Sequence, residues 1–292
     1  MIRASTVSKA LSTDDAPQVS RSPRLVVPRK VRHDFDPNVV PKHWLAGNAV
    51  VTHIVNGVSL LFPAGEKFFV RSVKRYLDRV VDPELREQIR GFFGQEGRHA
   101  REHERHAEML EAQGYELREF LDRFERSLKW LEARFPESLS LAGTAAAEHY
   151  TAIMAEDAFS EHALLGEAHP VMRQLLLWHA AEEIEHKAVA FDVLESQEPS
   201  YALRMAGMFM ATVVLAFWWQ RATRMLLKQD GIDGREALRQ LLALRGDSER
   251  RGILRDVFLR GIREYVRRDF HPWDNDNMSL VEDFLRQLDQ PA

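Results

Sequence analysis

Residues 171–193 read VMRQLLLWHAAEEIEHKAVAFDV, and this stretch decides the fold. Its apolar residues recur at helical spacing around three candidate metal ligands, His179, Glu183 and His186. At about 100° per residue, the three side chains fall within an arc of roughly 60° on one helix face. A buried carboxylate is costly unless it is paired or binds a metal. The stretch therefore predicts a helix that supplies several ligands to a metal site.

Three earlier segments with helical periodicity carry similar residues on their apolar faces. In chain order these residues are Glu66, then Glu96 with His99, then Glu148. Glu96 and His99 are three positions apart, so both side chains project from the same side of a helix. Four successive helices thus present Glu, Glu-x-x-His, Glu and Glu-x-x-His, which is the ligand order of ferritin-like two-metal bundles. A single Glu-x-x-His arises often by chance, and satisfied polar core residues without a metal are the alternative.

The helical periodicity predicts an all-α protein: a ferritin-like four-helix bundle, a crossover helix between its second and third helices, and an additional C-terminal helical layer. We expect a flexible, Pro-containing arm over residues 1–40 and a single domain over 41–292. The core bundle would occupy about 64–196, with one unbroken fourth helix, and the C-terminal helices about 200–290. The arm has no apolar stretch of the kind found in secretory signals.

The amino-acid composition limits which kinds of partner and which metal ligands the protein can use. Forty basic and forty-four acidic residues give a net charge of −4, which argues against a nucleic-acid-binding protein. The absence of cysteine excludes disulfides, thiolate ligands and a cysteine nucleophile. Any metal must be held by His, Asp and Glu, a ligand set that suits iron, with manganese or zinc as alternatives.

Four segments resemble the bacterial family described as predicted metal-dependent hydrolases. They are LLFPAGEKFFVRSV (60–73), QEGRHAREH (95–103), AAEHYTA (146–152) and WHAAEEIEHKAVAFDV (178–193). The resemblance extends over about residues 35–280, and the last segment is the most specific. The ligand pattern within it is ferritin-like rather than that of a typical hydrolase.

The sequence His179-x-x-x-Glu183-x-x-His186 is also similar to the di-iron arylamine N-oxygenases, in which an extra histidine one turn before the last glutamate is the seventh ligand. This resemblance implies that Glu66, Glu148 and Glu183 act partly as bridges between two metals. The remaining ligands that it implies are Glu96, His99, His179 and His186. The substrate of that family does not transfer with the ligands.

Three neighbours are candidate outer partners of the ligands. His103 lies one turn beyond His99 on the same face, and we interpret it as a second-layer or pocket residue. Glu182 is adjacent to His186 on the helix surface, and second-layer and solvent-exposed roles are open for it. Asp192 could orient a ligand histidine, and a surface salt bridge is the alternative.

Residues 205–220, MAGMFMATVVLAFWWQ, are apolar on all sides and lie between Arg204 and Arg221. As a helix they span roughly 24 Å, which is short for a bilayer crossing. We predict burial against the bundle; a homodimer interface and membrane-surface contact through Trp218 and Trp219 are the alternatives. A cytoplasmic protein, with membrane association as the lesser option, follows from this interpretation.

The ligand set favours a non-haem di-iron protein that uses O2 and an electron donor to oxidise a small organic substrate, as an oxygenase or hydroxylase. A hydrolase in which two metals activate water is the alternative. A ferritin-like storage or redox protein is a second alternative, although a storage bundle needs neither the extra helices nor His179.

Overall fold

The computed structural model describes residues 26–160, 164–244 and 254–288. Over these ranges the chain is helical and forms no strand, which confirms the all-α prediction. The α-helices of the described residues are α1 (Ala49–Ser59), α2 (Phe62–Lys74), α3 (Pro83–Ala112), α4 (Arg118–Arg134), α5 (Glu137–Ala158), α6 (Pro170–His186), α7 (Val189–Gln197), α8 (Tyr201–Gln229), α9 (Gly234–Leu244), α10 (Arg260–Tyr265) and α11 (Met278–Leu288). A π-helical turn, Leu254–Leu259, leads into α10.

The pair Asp82-Pro83 predicts a helix N-cap followed by the first helical residue, and α3 begins at Pro83. The side chain of Asp82 accepts hydrogen bonds from the backbone N–H groups of Glu84 and Leu85, and Pro83 occupies the first turn, where no N–H is required. The helix is followed by Gly114, whose φ of +99° is a left-handed conformation that glycine adopts without strain. The Asp82 cap and Gly114 thus define the start and the end of α3, the longest of the helices that carry predicted ligands.

The predicted fourth core helix is two helices, not one. Helix α6 ends at His186 and α7 starts at Val189, so the chain breaks directly after the last predicted ligand. Lys187 is buried at this break, where its ammonium group donates to the Asn275 carbonyl at 2.6 Å and to Asn277 Oδ1 at 2.8 Å. This tertiary contact is invisible to helical periodicity, which continues through the break.

Two other predicted helices are shorter than expected. The helical periodicity of the sequence predicts one helix over about 64–80 and another over about 137–166, but the first ends at Lys74 and the second at Ala158. The same periodicity predicts a helix over about 249–268, part of which lies outside the described residues.

Four helices enclose the interior that contains the predicted ligands. Helix α2 packs against α3 and α5, and α6 packs against the same two helices. Helix α4, which connects α3 to α5, packs on the outside against α2 and α5. Each of the four enclosing helices carries at least one predicted ligand, so the fold brings together residues that are far apart in the sequence.

Residues 26–40 are not a flexible arm, as the sequence suggested. Val26 and Val40 are buried, and the guanidinium of Arg29 pairs with the carboxylate of Glu185 at 2.5 Å. The segment is not helical and joins the core through separate apolar and polar contacts, so no helical periodicity signals its packing. Residues 1–25 lie outside the described residues.

The C-terminal helices pack onto the core. Helix α8 lies against α1 and α5, while α11 lies against α6. At the crossing of α8 and α5, a Cβ atom on Gly207 would come within 2.4 Å of the Ala142 carbonyl oxygen, so only glycine permits this approach.

Helix α8 is buried on one side only, which corrects the predicted burial of residues 205–220. Phe209, Val213 and Phe217 are 73%, 50% and 50% exposed. Trp219, which the sequence offered as a membrane contact, is buried, and its Nε1 donates to the Ile54 carbonyl at 2.7 Å. By length and composition α8 could cross a membrane, and it is the one such helix among the described residues. That is weak evidence, because core helices of soluble proteins can pass the same test.

The two sides of α8 predict different responses to substitution. We expect Phe209→Ala to change the free energy of unfolding by less than about 0.5 kcal/mol, because the ring is exposed. Met208→Ala, one residue away on the buried side, should cost about 2 kcal/mol or more through lost packing. Urea unfolding of both variants measures the difference, and a Phe209→Ala variant as unstable as Met208→Ala would contradict the one-sided packing.

Candidate metal centre

All seven predicted ligands meet in the interior enclosed by α2, α3, α5 and α6. One group consists of Glu66, His99, His179 and Glu183, whose ligand atoms lie within 4.8 Å of one another. A second group consists of Glu96, Glu183 and His186, with the same spacing. Glu148 joins the second group, since its Oε2 lies 3.3 Å from His186 Nε2. Glu183 belongs to both groups, as expected of a ligand between two metal ions.

Most of the potential donor atoms in the two groups have no hydrogen-bond partner, although their residues are buried. These atoms are both carboxylate oxygens of Glu66, Glu96 and Glu148, Oε2 of Glu183, Nδ1 of His99 and Nε2 of His186. An unpartnered buried carboxylate is costly, and native proteins rarely leave one in that state. Metal ions would satisfy all of these atoms together, so the residues present fit a two-metal centre.

The buried carboxyl groups and histidines of the cluster shift one another's pKa values. Burial raises the pKa of Glu66 and of Glu148 well above the usual value for glutamate, and the nearby Glu96 carboxylate raises both further. Burial also raises the pKa of Glu96. Burial alone would raise the pKa of Glu183 too, but His186 and His179 lower it well below the usual value. Without a cation, these shifts favour the protonated forms of Glu66, Glu96 and Glu148.

His99 is oriented by Glu182, the residue next to Glu183. His99 Nε2 lies 3.0 Å from Glu182 Oε2, and a carboxylate can only accept, so Nε2 donates. This leaves Nδ1, 3.6 Å from Glu183 Oε1, as the atom available to a metal. The pair is the carboxylate–histidine arrangement that fixes the tautomer of metal ligands. Glu182 thus lies behind a ligand and is buried, which excludes the solvent-exposed role left open by the sequence.

His186 is held by a longer chain of side chains. Its Nδ1 lies 2.8 Å from Gln95 Oε1 and donates to it. The amide of Gln95 in turn donates to Glu185 Oε2 at 2.8 Å. Arg29 completes the chain by pairing with Glu185 and by donating its backbone N–H to Glu182 Oε1 at 2.9 Å. One arginine therefore links the partners of two ligand histidines.

His179 is held from the side opposite its predicted metal. Its Nδ1 lies 2.7 Å from His103 Nε2, and His103 Nδ1 lies 2.7 Å from Ser59 Oγ. Ser59 is also 2.8 Å from His106 Nδ1. His179 Nε2 faces Glu183 Oε1 at 2.8 Å. His103 therefore contacts a predicted ligand, and its role as an outer partner of that ligand stays a prediction.

The hydrogen bond that the structure shows for Asp192 does not lead to a predicted metal ligand. Its Oδ1 accepts from His271 Nε2 at 2.9 Å, and His271 is outside the predicted ligand set. Asp192 is also buried, so the surface salt bridge proposed as its alternative role is wrong.

Sequence reasoning missed Arg29, Gln95, Glu185 and Ser59. Gln95 and Glu185 directly precede predicted ligands, and that adjacency was the only available signal. Arg29 and Ser59 lie on other segments, and no local pattern points to them.

A separate group of His43, His53 and Asp230 also has metal-ligand spacing. Here the two histidine Nε2 atoms lie 2.7 Å and 2.6 Å from the same oxygen, Asp230 Oδ2. Tyr115 adds a third hydrogen bond to Asp230, at 2.9 Å. The carboxylate is therefore satisfied without a cation, unlike the carboxylates of the central cluster.

The residues that orient the predicted ligand histidines should affect metal binding measurably. We expect Gln95→Ala to weaken metal affinity by about 10–100-fold, because His186 loses the acceptor that orients its ring. Gln113→Ala is the matched control, since Gln113 bonds to the Val40 carbonyl away from the centre. Competition with a chromogenic chelator measures both affinities, and equal affinities for the two variants would refute the orienting role.

Comparison with known proteins gives one match. The family model described as "Predicted metal-dependent hydrolase" matches residues 27–276. No curated protein and no solved structure matches the chain. The family description favours hydrolysis over the oxygenase expected from the ligand pattern, and the resemblance to arylamine N-oxygenases stays a prediction.

Proposed function

Since the chain belongs to the family of predicted metal-dependent hydrolases, we propose that it hydrolyses a small organic substrate at a two-metal centre. The ligands in this proposal are Glu66, Glu96, His99, Glu148, His179, Glu183 and His186. The observation that carries it is the pair of ligand groups that share Glu183, in which most of the potential donor atoms lack partners.

The proposed architecture is a ferritin-like bundle of α2, α3, α5 and α6, within a single domain. It is supported by the order Glu, Glu-x-x-His, Glu, Glu-x-x-His on four mutually packed helices. The ions suited to this ligand set are iron, manganese and zinc.

Two bound ions would supply Lewis-acid polarisation of the scissile group and a nucleophile derived from water at neutral pH. The chain's own residues provide positioning. Glu182, Gln95 and His103 hold the three ligand histidines in fixed orientations. Phe62 packs on the His179 ring with a centroid distance of 4.5 Å.

The second candidate function is O2-dependent oxidation at two iron ions, with an external electron donor. It is favoured by His179. With this residue the predicted ligand set has three histidines and four carboxylates, which suits iron. It is also favoured by the apolar cavity beside Glu66, whose lining includes no cationic side chain to bind a phosphoryl group.

One experiment decides between the two reactions. The protein is prepared free of metal and loaded separately with zinc, manganese or ferrous iron. Each form is then assayed for hydrolysis of p-nitrophenyl esters and phosphates, and for O2 consumption under reducing conditions. We expect the zinc or manganese form to hydrolyse an ester and the Glu183→Gln variant to lose that activity. An iron form that consumes O2, together with no hydrolysis by any form, would reject the hydrolase and support the oxygenase.

A further inference from the structure

A small apolar cavity lies beside the candidate metal centre. It has a volume of about 90 Å³ and is lined by residues of α2, α4, α5 and α8 together with the end of α1. Of its eighteen lining residues, only Glu66 and Thr151 have polar side chains. The Thr151 hydroxyl is already used, since it donates to the Glu148 carbonyl at 3.0 Å.

The cavity meets the metal centre at two residues. Glu66 lines the cavity and is also a member of the first ligand group, and neither of its carboxylate oxygens has a hydrogen-bond partner. Phe62 lines the cavity too, and its ring packs on the rings of His179 and His103 at centroid distances of 4.5 and 4.7 Å. A molecule in the cavity would therefore extend directly toward the metal ligands.

We infer that this cavity binds the non-reacting part of the substrate, and that this part is an uncharged aryl or short alkyl group. That the bound molecule is a substrate rests on the proposed function. The apolar character of the group that binds follows from the cavity alone. A charged or strongly polar group would lose its hydration there without gaining a partner. An apolar group loses little and gains contact with an apolar wall.

The size of the cavity limits the group. At about 90 Å³ the cavity is smaller than the apolar cavity on the order of 150 Å³ that holds benzene, so a short chain fits as it stands and a single ring fits when the wall side chains move. Met154 and Met210 belong to the wall, and methionine side chains adapt their shape to irregular occupants. Helix α5 therefore supplies both a ligand, Glu148, and part of the wall that selects the substrate.

The test uses toluene as the probe and metal-loaded protein, with binding measured by calorimetry and by the rise in Tm. Ala147 lines the cavity, and Ala147→Leu should reduce toluene affinity by about tenfold or more because it fills the space. Ala158→Leu is the matched control on the same helix, outside the lining, and should leave the affinity unchanged. Met154→Ala enlarges the space and should shift the preference from toluene toward butylbenzene. If Ala147→Leu fails to fold, the Met154→Ala variant still tests whether toluene binds in this cavity.

Two outcomes would overturn the inference: no toluene binding by the native protein, or equal loss of affinity in Ala147→Leu and Ala158→Leu. Toluene binding needs no turnover, so a failure of the hydrolase proposal is recognised separately by the absence of ester hydrolysis. Where hydrolysis is found, toluene should raise the KM for phenyl acetate without changing kcat. A change in kcat alone would place toluene away from the substrate and would also count against the inference.

Discussion

Glu148→Gln protein is expected to retain at most one of about two metal ions per chain. The carboxylate is buried on α5, both of its oxygens lack hydrogen-bond partners, and Oε2 lies 3.3 Å from His186 Nε2. Glutamine keeps the shape of the side chain but removes the negative charge and one of the oxygen donors. Elemental analysis of protein purified without added metal measures the loss.

The control for this variant is Glu156→Gln on the same helix. Glu156 pairs with Arg260 at 2.9 Å and takes no part in the ligand groups. Because glutamine resembles the protonated carboxyl that Glu148 favours without metal, Glu148→Gln should fold normally, as circular dichroism would show. A folded Glu148→Gln protein with the metal content of the native chain would remove Glu148 from the ligand set.

Removal of the metal should lower the free energy of unfolding by about 4 kcal/mol for each site that is held at a thousand times its Kd. The reason is that the carboxylates of Glu66, Glu96, Glu148 and Glu183 would remain buried together without a cation. Chemical unfolding of the metal-loaded and chelator-treated protein measures the difference. Equal stability of the two forms at neutral pH would show that the cluster binds no metal in the folded state.

The difference between the two forms should widen as the pH rises. In the metal-free protein the pKa values of Glu66 and Glu148 are raised by burial and by Glu96, so the folded state holds protons that the unfolded state has lost. The stability of the metal-free protein then falls as the pH rises from the usual pKa of glutamate through the raised values. His186, whose pKa is raised by Glu183 and Glu148 against the effect of burial, acts in the same direction.

The metal-loaded form lacks this dependence, because its ligands are already deprotonated. Buried histidines outside the centre, such as His149, contribute equally to both forms and cancel in the difference. Unfolding measured at pH 6 and pH 8 provides the comparison. A difference that shrinks toward pH 8 would contradict the proposed charge state of the metal-free centre.

The sequence was sufficient to predict the inward-facing ligands because helical phase determines which side chains share a face. Glu183 and His186 are separated by less than one turn, and each lies on an apolar stripe, so their common direction follows from geometry. The same reasoning placed His103 on the ligand face. The structure brings all seven predicted ligands together.

The outer partners could not be predicted in the same way. The contact of Arg29 with Glu185 joins a non-helical segment to α6, and no periodicity records a contact between separate elements. The break after His186 was missed because Lys187 is held by residues of a distant turn. The exposure of α8 was missed because composition gives the number of apolar residues and not the area that neighbours cover.

The Arg29 contact also has a consequence for the order in which the protein assembles. Arg29 and Glu185 are 156 positions apart, so their ion pair closes a loop that contains all four ligand-bearing helices up to the end of α6. Such a long-range closure carries a large entropic cost and is expected late in folding. During synthesis on a ribosome, the segment around Arg29 cannot form this ion pair until α6 has emerged. A nascent chain that stops before α6 therefore has neither the Arg29–Glu185 contact nor the predicted ligands Glu183 and His186, so metal binding is expected to follow synthesis of the bundle.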